Sequence, residues 1–201
     1  MTLSSPPDIN PESGCRLPLP DREALDDAGK VTYDRMANFE AGAIMGLKGP
    51  NALTLHSPGI TKHALPLNNY LRFDTDFSGV VRELVILVAA REMDSRFEWA
   101  AHEPQALKEG VPQSTVDAIK YRNPTDGLPH EHALIIDYGR QVLQKHIVTP
   151  ETFARLKSAY GSKGVVDLAT LLGNYLTLAV LLTTVDAQVP PDDLEELPID
   201  P

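Results

Sequence analysis

The 201-residue sequence predicts an all-α domain, and three observations predict it. Apolar positions recur at helical spacing through nearly every segment between the termini. The β-branched alternation of strands is missing. Cap and stop residues (Ser, Pro and Gly) bracket stretches of helical length. With 42% hydrophobic and 23% charged residues, the composition is that of one globular domain with a real core.

Residues 1–20 and 188–201 are rich in Pro, the second also in acid, and lack apolar periodicity. They read as extended arms flanking a helical domain over 21–187. Asp21 to Phe39 predicts a first helix, acidic at its start. "GLKGPNALTLHSPG" then breaks the chain around a short helical turn. Ile60 to Phe73 follows, with Ser57 as N-cap, Pro58 at the first helical position and Pro66 as a kink.

"SGVVRELVILVAAREMD" starts from a Ser78 cap and is apolar on all sides from Leu84 to Ala90, the pattern of a buried helix. "SRFEWAAHEPQALKEG" ends at Gly110, a C′ glycine, and Pro104 predicts a kink or division near His102. "PQSTVDAI" begins a short helix capped by Ser114 or Thr115. Pro129 to Gln144, Pro150 to Ser158 and Val165 to Val185 supply the rest, the last apolar enough for a core or subunit-interface element.

A net charge of −10 gives no phosphate-neutralising surface, so a nucleic-acid partner is not expected. Cys15 is the only cysteine, which excludes an intramolecular disulfide and a CxxC pair. No signal-peptide pattern opens the chain, and no uninterrupted apolar run reaches the roughly 18–20 residues of a membrane span. The expectation is a soluble, cytoplasmic protein with a small-molecule partner.

Chemistry concentrates in one helix. At 3.6 residues per turn, Glu98 lies roughly 60° and His102 roughly 20° from Ser95, so the three share a face, with Trp99 on its flank. Glu83, one helix earlier, is an ionisable group at the edge of a buried segment and needs a partner or a purpose. The spacing Glu83, eleven residues, Ser95, two, Glu98, three, His102 resembles the E-x11-C-x2-C-x3-H signature of the alkylhydroperoxidase D-like superfamily, with both cysteines replaced. The surrounding "RELVILVAAREMDSRFEWAAHEPQALKEGVPQSTVDAI" resembles its carboxymuconolactone decarboxylase branch. "LHSPGITKHALPLNNYL" and "GVVDLATLLGNYLTLAVLL" extend the likeness to about residues 20–190.

The resemblance implies a carboxymuconolactone decarboxylase-like helical bundle assembled as a homotrimer or hexamer. It also implies a cofactor-free lyase or isomerase acting on a small carboxylated or lactone-type compound, of the kind met in aromatic catabolism. Without the two thiols, peroxidase chemistry is not expected. His102 is then the principal general acid/base, Glu98 its partner or second acid/base, and Glu83 the group that orients or polarises them. Ser95 would hydrogen-bond a substrate oxygen or a water, and Trp99, Tyr70 and His63 would wall the pocket. Arg96 or Arg91 would fork a substrate carboxylate, and Asn69 and Arg72 lie on the same helix as Tyr70.

Plainer readings stand beside these. Glu98 and His102 also fit an ordinary i, i+4 pair, and Ser95 with Glu98 fits a capping box. Glu83 fits a helix N-terminal carboxylate paired with Arg82 or Arg91. A metal site of Glu83, Glu98, His102 and His63 has no paired-His motif behind it, so neither metal nor cofactor is expected. The competing function is a non-catalytic, small-ligand-binding oligomer that has lost the thiols.

Overall fold

The computed structural model describes residues 7–40, 44–189 and 197–198. Within them the chain is all-helical: α1 (Asp27–Ala37), α2 (Pro50–Leu53), α3 (Pro58–Asn69), α4 (Gly79–Glu92), α5 (Arg96–Lys108), α6 (Gln113–Lys120), α7 (His130–Arg140) and α8 (Pro150–Thr184). No strand forms among the described residues; Asn10 and Cys15 make one isolated bridge.

The core is built around α4, which packs against α5, α7 and α8. Ser78 starts it as expected, its hydroxyl accepting from the Val81 amide at 3.2 Å. Val81 and every residue from Glu83 to Arg91 are buried, because the helix is covered on all sides. Its end turns sharply: Asp94 takes a positive φ of 48° and the Ser95 amide donates to Ala90 at 2.8 Å. That turn folds α5 back along α4 and brings Glu83 level with His102.

Several predicted boundaries shift for local reasons. The expected helix over Asp21–Phe39 is a 3-10 turn at Arg22–Ala24 followed by α1, because the Asp26 carboxylate accepts from the Gly29 amide at 2.7 Å and caps a new start. Ser57 occupies the cap position of α3 without a capping bond. α3 runs through Pro66 and passes into a π turn at Tyr70–Asp74, and α5 runs undivided through Pro104. Burial of Phe97 to His102 on one side of Pro104 and Ala106 on the other outweighs the lost hydrogen bond. α6 starts from Pro112 rather than Ser114 or Thr115, since the Thr115 hydroxyl is engaged by His132 at 3.1 Å.

α8 bends at Gly161, whose φ of 66° and ψ of −174° belong to glycine alone. Its first arm contains the expected segment Pro150–Ser158, and its second covers the expected Val165–Val185 as far as Thr184, with Val185 as the C-cap. After the bend, Leu168, Leu171, Leu172, Tyr175, Leu178, Ala179 and Leu182 form a buried face at helical spacing. By length and composition α8 is long and apolar enough to cross a membrane, although no single uninterrupted apolar run suggested it.

The described parts of both expected arms lie on their own chain. Arg16 donates to Val185 and Gln188 to Gly14, each at 2.8 Å, and Cys15 is buried among Leu53, Phe97 and Leu182. Leu197 belongs to the main core. The remaining arm residues, 1–6, 190–196 and 199–201, lie outside the described residues.

Candidate active site

Glu83 from α4 and Glu98 and His102 from α5 converge. Glu83 Oε2 lies 2.8 Å from His102 Nδ1, and Glu98 Oε2 lies 3.6 Å from Nε2. All three side chains are buried. Burial alone would raise the Glu83 pKa, but its hydrogen bond to His102, the imidazole charge and Arg82 outweigh that and hold it below its ordinary value. Glu83 is therefore an ionised acceptor, receiving Arg82 Nε at 3.2 Å as well. An acceptor-only carboxylate at Nδ1 requires a proton there, so Nε2 is the ring nitrogen turned toward Glu98.

Glu98 is the opposite case. Burial drives its pKa up, His102 and Arg72 offset this only in part, and the Glu83 charge adds to it. Its Oε1 is buried without a hydrogen-bond partner. Two carboxylates on one imidazole are thus pushed to different states, one a fixed anion and the other a carboxyl that retains its proton to higher pH.

Glu98 and His102 open onto a cleft of about 80 Å³, bordered on its other sides by α1, the 46–51 segment, α3 and α8. Arg35, Glu40 and Arg72 supply its charge, Asn51, Asn68 and Asn69 its amides, and Met36, Phe97 and Leu178 its apolar wall. Tyr175 also lines it, its ring perpendicular to that of His102 with centroids 5.2 Å apart. Compared with protein-family models and with curated proteins, the chain matches none.

The predicted catalytic residues meet, and the predicted substrate-binding residues do not join them. Ser95 is buried at the head of α5 without a capping bond, so the capping-box reading is not realised, and it does not line the cleft. Trp99 is fully buried in the core and donates to Glu103, one turn on in α5, at 2.9 Å. Tyr70 hydrogen-bonds Asp167 at 3.2 Å. His63 and Arg96 are exposed, each on the outward face of its helix. Arg91 pairs with Asp94.

The cationic role passes to Arg72 and Arg35. Sequence reasoning named Arg72 only by its helix and missed Arg35 and Tyr175 as wall residues. Arg72 reaches the cleft because the chain after α3 is wound as a π turn. Tyr175 was hidden in an apolar run, where a polar tip on a core-facing position was the available signal. The two ring nitrogens of His102 face different carboxylates, so the three groups do not converge on one ion. Among the described residues, no group of three His, Cys, Asp or Glu side chains is placed to hold a metal.

Proposed function

We propose that the protein is a cofactor-independent lyase or isomerase that moves protons on a small carboxylated substrate, of the carboxymuconolactone decarboxylase type that its sequence resembles. The observation that carries this is the split pair: His102 offers a basic Nε2 fixed by ionised Glu83, beside a Glu98 carboxyl whose burial favours the proton-bearing form. Base and acid face one half-open cleft, and two guanidinium groups, Arg72 and Arg35, line it to receive a carboxylate.

In this reading His102 Nε2 takes a proton from the carbon beside a carbonyl, and Glu98 gives one back to the resulting enolate. For decarboxylation, the bonding pair of the departing carboxylate flows into the carbonyl as CO2 leaves, and Glu98 protonates the carbon. Self-association belongs to the same proposal, supported by the exposed apolar side chains Phe153, Val166 and Val180 along α8. The test is turnover of a panel of lactones and 3-oxo acids by the parent and by His102→Ala and Glu98→Gln. Loss in both variants supports the assignment. Unchanged turnover in both removes the site, and a parent inert on the whole panel favours a ligand-binding role.

A further inference from the structure

The cleft holds a polar group that the acid–base pair does not use. Tyr175 is 3% exposed, and its ring packs at right angles to that of His102. A buried phenol ordinarily finds a hydrogen-bond partner, yet this hydroxyl has none among the described residues. It lines the cleft within electrostatic reach of Arg72, Glu98 and Glu83. Glu98 Oε1 is buried without a hydrogen-bond partner among the described residues, and Tyr175 borders the same small volume.

We propose that Tyr175 is a further catalytic residue, whose O–H hydrogen-bonds the carbonyl oxygen of a short oxo acid as that oxygen gains charge. The proposal rests on the acid–base reading of the same site and narrows its substrate class. At 10–15 Å³ per water, the cleft volume of about 80 Å³ holds roughly six waters, enough room for a three-carbon oxo acid. The carboxylate lies toward Arg72 and the carbonyl toward Tyr175.

As His102 Nε2 removes the proton, the C–H pair becomes the C=C bond and the carbonyl π pair moves onto oxygen. That oxygen accepts the Tyr175 O–H without taking its proton. The Glu98 proton then returns to carbon, the enolate pair re-forms C=O, and His102 passes its proton to Glu98. Burial holds the phenol well above its ordinary pKa, so it stays a neutral donor throughout.

Oxalate, a planar dianion, imitates the enolate, and oxamate puts a neutral amide where the second charge would be. Calorimetric titration of both into the full-length protein and into Tyr175→Phe tests the proposal. Wild type should prefer oxalate, and Tyr175→Phe should lose about tenfold or more of the oxalate affinity with a smaller change for oxamate. Its melting temperature should not fall, since the hydroxyl it removes is unpaired and the ring remains. Equal oxalate affinity in the two proteins, or no oxalate binding by wild type, overturns the proposal.

Deuterium uptake from D2O into the methyl group of pyruvate separates it from the reading beneath. Exchange lost in His102→Ala and slowed about tenfold in Tyr175→Phe is the expected pattern. Exchange at the wild-type rate in Tyr175→Phe overturns Tyr175 and leaves His102 standing. Exchange unaffected by His102→Ala overturns the acid–base reading instead.

Discussion

Replacing Glu98 by methionine should stabilise the protein while removing its activity. Glu98 is 2% exposed, its Oε1 has no partner and its Oε2 is 3.6 Å from the imidazole, beyond a good hydrogen bond. A buried polar group left unsatisfied costs about 1–3 kcal/mol, and methionine fills a similar volume without that cost. For a domain of this size each kcal/mol moves Tm by roughly 2–4 °C, so a rise of about 2–12 °C is expected at pH 8.

The gain should depend on pH in one direction. Glu98 has an ordinary value of 4.5 and a raised value in the fold, so between these two the folded protein holds a proton that the unfolded chain has lost. Wild-type stability therefore declines as pH rises from about 4.5 through the raised value, and Glu98→Met removes that decline. The assay is a set of thermal melts of both proteins from pH 4.5 to 8, with turnover measured alongside. A variant less stable than wild type by the same amount at every pH would refute the reasoning, since Glu98 would then be a satisfied structural group.

Glu83→Gln removes an ionic hydrogen bond worth about 1.5–3 kcal/mol, so kcat should fall roughly 10–150-fold. Glu83 is held below its ordinary 4.5, so its stabilising effect is full above that pH and fades as pH falls through the lowered value. Melts of wild type and Glu83→Gln should therefore differ most near pH 7 and converge in acid. Arg72→Met should raise KM for a carboxylate substrate about tenfold or more with a smaller change in kcat, read from steady-state kinetics. Gly139→Ala puts a Cβ 2.4 Å from Val88 Cγ1, where α7 crosses α4, and should destabilise by about 1–3 kcal/mol in denaturant titration.

The all-helical class was legible because helical spacing and caps are local signals. Ser78 illustrates this: the residue that reads as a cap is the cap. Burial of α4 was equally legible, since a helix apolar on every side has no face to give to water. The shared face of Glu98 and His102 was legible from spacing on one helix, Glu83 was grouped with them through the resemblance, and the structure brings the three side chains together.

What the sequence could not supply was the direction each flanking side chain takes. Trp99 and Ser95 share a helix with the site, yet a rotation of a few tens of degrees sends them into packing. The π turn after α3 carries Arg72 to the cleft, while Tyr70, two residues before it, pairs with Asp167 instead. Pro104 reads as a break and is not one, because burial on both sides of it outweighs a local penalty. Residue type and periodicity determined the helices and the shared face of Glu98 and His102, and only the resemblance grouped Glu83 with them. Only the three-dimensional packing, which depends on contacts between residues far apart in the chain, decided that Arg35, Arg72 and Tyr175 would line one cleft with Glu98 and His102.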